Sequence, residues 1–190
     1  MSGADLVVRT ASPEGTRAVG RALAGLLQPG DLLVLAGDLG AGKTTFAQGV
    51  GQGLGVSDPV VSPTFTLVRQ YRCGAGAPVR TLLHADLYRL DQLAEVLDLD
   101  LAELVEDQAA ALVEWGDVAS EVLGPEQVTL VLQPTADEDA RELALWLPPS
   151  WAGRRDPLEA ALAGLGLLAE ARVAHRQPGG QGPGGTGEER

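Results

Sequence analysis

Residues 37–44 carry the clearest chemical signal of the chain and read Gly-Asp-Leu-Gly-Ala-Gly-Lys-Thr. They match the P-loop spacing G-x-x-x-x-G-K-[ST], in which glycines let successive backbone amides converge on phosphate oxygens. Lys43, the only lysine of the chain, would add a mobile positive charge for the β- and γ-phosphates. The Thr44 hydroxyl would coordinate Mg²⁺. This segment therefore predicts a binding site for a nucleoside triphosphate with its Mg²⁺ ion.

The flanking residues supply the setting that such a loop requires, a strand before it and a helix after it. Residues 32–36 are a continuous apolar run typical of a buried parallel strand, and residues 44–48 are compatible with the start of a helix. Glycines at 49, 51, 53 and 55 crowd the second half of this helix. Because an interior glycine costs about 1 kcal/mol relative to alanine, we expect the helix to depend on packing against the sheet and to end early.

Two apolar strands end in an acid, and a phosphate-binding loop needs such a group to hold Mg²⁺ or to orient an attacking water. Asp86 ends the segment 81–86, and Glu114 ends the segment 111–114. Ligands of open α/β sheets bind outside the carboxyl ends of the strands. Both acids would therefore lie beside the loop if their strands run parallel to the P-loop strand. The alternative is that each acid caps a helix.

Four further residues have two interpretations each. Thr64 and Thr66, which follow Pro63, either sense the γ-phosphate with its Mg²⁺ or simply begin a strand. His84 is interpreted as a structural histidine rather than a general base. Trp115 either fills the core or provides an aromatic contact near the site, and the sequence does not separate these alternatives.

The order of the predicted elements indicates an α/β fold, a P-loop NTPase-like three-layer domain with a mixed parallel and antiparallel central sheet. A strand at 6–10 precedes a helix capped by Ser12, with Pro13 at its first position, that runs to about residue 27. Strands near 65–72 and 79–85 form a hairpin, and helical turns fill 91–107. Further strands follow near 110–114, 127–133 and 141–147.

The chain is predicted to have three parts. Residues 1–150 form the P-loop domain, residues 151–176 a helical appendage, and residues 177–190 a disordered glycine-rich tail. In the appendage, Asp156 and Pro157 would be the cap and first residue of one amphipathic helix that reaches about residue 174.

The composition favours a globular cytoplasmic protein with no membrane span and no export signal. Its single cysteine, Cys73, excludes an internal disulfide and is interpreted as a residue without chemical role. A net charge of −12 argues against tight binding of nucleic acid by the chain itself. The acidic run at 91–107 is interpreted as a solvated helix face, with a docking surface for a basic partner as the alternative.

The guanine-reading Asn-Lys-x-Asp sequence of GTPases needs a lysine, and the only lysine of this chain lies in the P-loop. The nucleotide is therefore predicted to be ATP. Few groups remain to stabilise charge in the transition state, so we expect slow hydrolysis that a partner accelerates. The alternatives are a small-molecule kinase and a nucleotide-sensing module that does not hydrolyse.

Four stretches in sequence resemble the bacterial TsaE (YjeE) family, the small ATPase of tRNA threonylcarbamoyladenosine biosynthesis. They are residues 37–46, 62–68, 84–90 and 112–115, and the similarity covers about residues 5–147. The resemblance implies an accessory subunit that hydrolyses ATP to reset the complex forming threonylcarbamoyladenosine at position 37 of tRNA. Its partners would be the other protein subunits of that machinery, with tRNA contacted only indirectly. The chain departs from the family pattern at Ala85, often aromatic, and at Gly116, often proline.

The same resemblance implies roles for individual residues. Lys43, Asp86 and Glu114 would be catalytic, Thr44 and Glu114 would hold Mg²⁺, and Asp86 would assist the metal or the water. Thr64 and Thr66 would form a switch-like strand. The nucleotide would be bound by the loop residues Leu39, Gly40, Ala41, Gly42, Lys43, Thr44 and Thr45, with Ser12 in the stretch 12–16 and Arg141 also reaching it.

Overall fold

A mixed seven-stranded sheet organises the chain in a computed structural model that describes residues 3–63, 66–88, 108–115 and 125–168. The strands are β1 (Leu6–Thr10), β2 (Leu32–Ala36), β3 (Val68–Arg72), β4 (Thr81–Asp86), β5 (Ala109–Glu114), β6 (Val128–Pro134) and β7 (Arg141–Trp146). The helices of the described residues are α1 (Pro13–Ala24), α2 (Lys43–Gly53) and α3 (Ala152–Gly164), the last preceded by a short 3₁₀ helix (Pro149–Trp151).

The sheet has the order β1-β7-β6-β2-β5-β4-β3. β6, β2, β5 and β4 run parallel at its centre, whereas β7 and β3 pair antiparallel with β6 and β4. The central β2 has a buried apolar interior, as expected for a strand covered on both faces. The predicted α/β class with a mixed sheet is confirmed, and so is the hairpin of β3 and β4. The helical turns predicted at 91–107 lie outside the described residues.

The glycine-rich helix α2 is packed closely against α1. A Cβ on Gly49 would lie 2.2 Å from the carbonyl oxygen of Arg17, and one on Gly20 would lie 2.5 Å from that of Phe46. The absence of side chains at such positions lets the two helix backbones approach. The expectation that the glycines end the helix early is wrong, because α2 continues to Gly53. Gly49 and Gly53 permit the close contact with α1, whereas Gly51 lies against Val60.

The C-terminal helix starts earlier and ends earlier than predicted. Its N-cap is Trp151, so Asp156 and Pro157 do not cap it and Pro157 lies inside it. Buried Trp151 donates from Nε1 to Asp31 Oδ1 at 3.1 Å, and Arg154 forms an ion pair with the same aspartate. These contacts hold the first helical turn against the start of β2. The helix ends at Gly164, so the prediction that it continues unbroken past this residue is wrong. Residues 169–174 of the predicted helix lie outside the described residues.

The C-terminal region joins the main core rather than a core of its own. Leu158 and Leu162 are buried in the same apolar cluster as residues of α1, α2 and the sheet. After α3 the chain returns to the edge of the sheet, where Leu168 bridges antiparallel to Val8. The tail predicted from residue 177 lies outside the described residues. None of the helices in the described part of the chain has the length and apolar character that a bilayer span requires.

Candidate functional site

The P-loop connects the carboxyl end of β2 to the first turn of α2, as predicted. Gly37 has φ +137°, and a Cβ there would lie 2.4 Å from the carbonyl oxygen of Leu132. Gly42, the N-cap of α2, has φ +108°. Both positions need glycine, because side chains disfavour this region of φ. The loop therefore turns so that the N-terminal end of α2, where backbone amides and the helix dipole attract anions, faces the pocket.

Lys43 lies along this loop and is nearly buried. Its Nζ donates to the carbonyl oxygens of Gly37 and Asp38 at 2.7 and 2.9 Å. The same ammonium lies 3.7 Å from the centre of the Trp115 ring, a cation–π contact. Two carbonyls and an aromatic face thus hold the ammonium group of the only lysine beside the loop.

The two predicted acids lie side by side at the carboxyl ends of parallel strands. Asp86 of β4 is in register with Glu114 of β5, and each is 3% exposed. Glu114 accepts hydrogen bonds from Thr44 Oγ1, at 3.0 Å to Oε1 and 3.3 Å to Oε2, and contacts His84 Nε2 at 2.9 Å. The predicted parallel arrangement is therefore observed, and one acid reaches the P-loop threonine directly.

Asp86 belongs to a second set of contacts in the same pocket. Its Oδ2 accepts from Ser62 Oγ at 2.6 Å, and its Oδ1 accepts from the backbone N–H of Tyr88 at 3.0 Å. Ser62 lies on the segment between α2 and β3, so this contact ties that segment to the end of β4. The arrangement places a second buried carboxylate within the site.

A pocket of about 420 Å³ joins these groups. Most of the predicted site residues line it, together with three that were not among the predicted site residues, Ser62, Tyr88 and Trp115. Its lining residues are Leu39, Gly40, Gly42, Lys43, Thr44, Thr45, Ser62, Asp86, Tyr88, Glu114 and Trp115.

Three of the residues predicted to bind the nucleotide lie outside the lining of this pocket. Ser12 caps α1, where its Oγ accepts from the backbone N–H of Gly15 at 3.2 Å. Ala41 is buried within the loop. Arg141 donates from Nε to the carbonyl oxygen of Ala41 at 3.0 Å and from Nη2 to that of Gly40 at 3.3 Å. In this structure Arg141 therefore contacts the backbone of the loop.

Trp115 serves both of the purposes that the sequence left open. Its ring packs against a small cluster that includes Leu87 and Val113, and it also forms a wall of the pocket beside Tyr88, with ring centres 4.9 Å apart. Its φ of +61° is unusual for a side chain of this size and costs about 1–3 kcal/mol. With this backbone conformation at the end of β5, the indole lies over the Lys43 ammonium.

Some of these contacts have only weak signals in the amino-acid sequence. Ser62 and Tyr88 fall inside stretches 62–68 and 84–90 but have no pattern that marks them as pocket residues. His84 precedes Asp86 by two positions and so shares its face of β4, which was a usable signal. Thr66 donates to the carbonyl oxygen of Pro63 at 3.4 Å and is not among the lining residues, whereas Thr64 lies outside the described residues.

The strand order, the loop and the acids beside it define the class of the molecule as a P-loop NTPase-like α/β protein. A family model described as "Threonylcarbamoyl adenosine biosynthesis protein TsaE" matches residues 10–143. The chain belongs to the TsaE family.

Individual relatives agree with this assignment. The tRNA threonylcarbamoyladenosine biosynthesis protein TsaE of Bacillus subtilis is 43% identical over 135 residues, covering 71% of this chain and 81% of the relative. The protein of the same name from Streptomyces coelicolor is 43% identical over 142 residues, covering 72% of this chain and 93% of the relative. The crystal structure of Bacillus subtilis YdiB has a TM-score of 0.65 and 34% identity, covering 85% of this chain and 95% of that one.

Proposed function

We propose that this chain is a Mg²⁺-dependent ATPase that acts with other protein subunits in the biosynthesis of tRNA threonylcarbamoyladenosine. Membership of the TsaE family supports the biosynthetic role. The observation that carries the hydrolytic proposal is the direct contact between Thr44 of the P-loop and Glu114 at the end of a parallel strand. It brings together the two kinds of oxygen ligand, hydroxyl and carboxylate, that Mg²⁺ takes in P-loop proteins.

The donor set fits magnesium rather than a softer metal. Thr44, Glu114 and Asp86 offer oxygen atoms only, and both carboxylates are nearly buried. No group of three or more histidine, cysteine or acidic side chains suited to a metal occurs among the described residues. Magnesium bound with a nucleotide does not require one, because it keeps several waters and takes few protein ligands. When bound, the ion would neutralise charge on the β- and γ-phosphate oxygens.

The remaining steps depend on groups of the chain itself. The amides of residues 39–45 and the N-terminal end of α2 would hold the phosphates, and Lys43 would leave its two carbonyl partners to meet the β- and γ-oxygens. Asp86, held by Ser62 and the backbone of Tyr88, would accept a hydrogen bond from the attacking water. Among the described lining residues Lys43 is the only basic side chain. Hydrolysis by the chain alone would therefore be slow, and a partner would supply further stabilisation.

Labelled ATP tests the reaction. We expect [γ-³²P]ATP to release inorganic phosphate to water in the presence of Mg²⁺, and the Lys43→Ala variant to lose that release. Arg72→Ala is a matched control, since it removes a positive charge from an exposed position on β3. Label on a metabolite would instead identify a small-molecule kinase. Binding without any release, alone or with partners, would identify a nucleotide-sensing module.

The acidic character of the chain supports an indirect relation to tRNA. With a net charge of −12, the chain repels the phosphate backbone, so its partners would hold the tRNA. The proposed compartment is the cytoplasm. A pull-down from the native cytoplasm with and without ATP should recover the subunits of the threonylcarbamoyl transfer machinery, and recovery of tRNA without them would contradict the indirect role.

A further inference from the structure

His84 lies behind the carboxylate that contacts the P-loop threonine. It occupies the middle of β4, is fully buried, and is in register with Leu112 of β5. Glu114 is two residues beyond Leu112 and therefore projects from the same face of the sheet, diagonally next to the histidine. The two side chains meet there, with His84 Nε2 2.9 Å from Glu114 Oε1.

Only one of the two ring nitrogens of His84, Nε2, has a hydrogen-bond partner among the described residues. His84 Nδ1 is buried and has no hydrogen-bond partner among the described residues. Since a carboxylate oxygen can only accept, the hydrogen of this contact is carried by Nε2. The buried ring is therefore oriented by Glu114, and Glu114 is in turn held by the ring.

Glu114 receives one donor from each side. Thr44 Oγ1 approaches from the P-loop, and His84 Nε2 approaches from within the sheet, both at Oε1. A glutamate side chain has three rotatable bonds, so a hydrogen bond from the loop alone would leave its carboxylate free to turn. The second hydrogen bond, from His84 on β4, holds the carboxylate from within the sheet and so restricts that rotation.

We propose that His84 is a positioning residue that sets the orientation of the Glu114 carboxylate toward Thr44. The effect on Mg²⁺ rests on the function proposed above, whereas the effect on the carboxylate does not. Partners that orient the direct ligands of a metal commonly change metal affinity about 10- to 100-fold when they are removed. A residue that only fills space in the core would have no such effect once its volume is replaced.

Two substitutions separate orientation from packing. His84→Leu fills a similar volume without a donor, and His84→Gln offers an amide N–H that can reach the place of Nε2. Calorimetry would measure ATP binding with Mg²⁺ and with EDTA for each variant. For His84→Leu we expect the gain in affinity on adding Mg²⁺ to fall about 10- to 100-fold, with binding in EDTA unchanged. For His84→Gln we expect most of that gain to remain.

Crystal structures of the same variants without nucleotide give a readout that does not depend on the metal. We expect the Glu114 carboxylate to leave Thr44 in His84→Leu and to stay in contact with it in His84→Gln. An unmoved carboxylate in His84→Leu would overturn the proposal, even if the wild-type chain shows no Mg²⁺ effect and the proposed function fails. Should His84→Leu not fold, His84→Met takes its place, since it also fills the space without an N–H donor, and an unmoved Glu114 carboxylate in that variant would overturn the proposal.

Discussion

The close contact between α1 and α2 predicts that alanine at Gly49 destabilises the protein, although alanine favours helices. The added Cβ would lie 2.2 Å from the carbonyl oxygen of Arg17 and 2.7 Å from its Cα, and real Cβ atoms are rarely found within 3.0 Å. Both atoms belong to the backbone, so the helices must separate. Overpacking of this kind destabilises a protein by up to about 3 kcal/mol, whereas the higher helix propensity of alanine stabilises it by about 1 kcal/mol. The expected net loss is about 2 kcal/mol.

Thermal unfolding followed by circular dichroism measures this loss. For a chain of this size, about 2 kcal/mol corresponds to a fall in Tm of about 4–8 °C. Gly153→Ala is the matched control, because Gly153 is also helical and a Cβ there meets nothing within 4 Å. We expect its Tm to rise slightly. A Tm of Gly49→Ala equal to or above that of the wild type would refute the account of α1 and α2.

Three further predictions concern the site and its surroundings. Glu114→Gln keeps the size of the side chain but removes its charge, so calorimetry should show weaker ATP binding with Mg²⁺ and unchanged binding in EDTA; an equal loss in both would indicate misfolding. Arg141→Met removes two hydrogen bonds to the loop backbone, which should weaken ATP and inorganic triphosphate about equally, roughly tenfold for a contact worth about 1.4 kcal/mol. A loss confined to ATP would mean that Arg141 contacts the nucleoside instead. Burial raises the pKa of the Cys73 thiol, so its reaction with a thiol reagent at neutral pH should be slow in the folded chain and accelerate in denaturant; equal rates would contradict this.

Local sequence patterns were sufficient to predict the strand β2, the start of α1 and the two acids of the site. The apolar run at 32–36 coincides with β2, and Ser12 and Pro13 open α1 as their chemistry requires. Asp86 and Glu114 were found because a parallel strand that ends in an acid places it at the ligand edge of the sheet. These features depend on neighbours in sequence or on a general rule of topology.

Features that depend on residues far apart in sequence were not predictable in the same way. Gly49 and Gly53 of α2 face α1, some thirty positions earlier, and a helix propensity scale counts only their cost. Arg141 reaches the loop carbonyls across about a hundred positions. The early start of α3 depends on Trp151 and Arg154 meeting Asp31. In each case the decisive partner is chosen by tertiary packing.

The central claim is that the loop at 37–44 binds triphosphate while Thr44 and Glu114 hold its magnesium and Asp86 assists the metal or the attacking water. A crystal structure of the chain with Mg²⁺ and a non-hydrolysable ATP analogue tests this most directly. We predict the β- and γ-phosphates against the backbone amides of the loop, with Lys43 turned onto them and the metal between Thr44 and Glu114. A nucleotide bound elsewhere, or a metal that contacts neither Glu114 nor Asp86 directly or through water, would contradict the account.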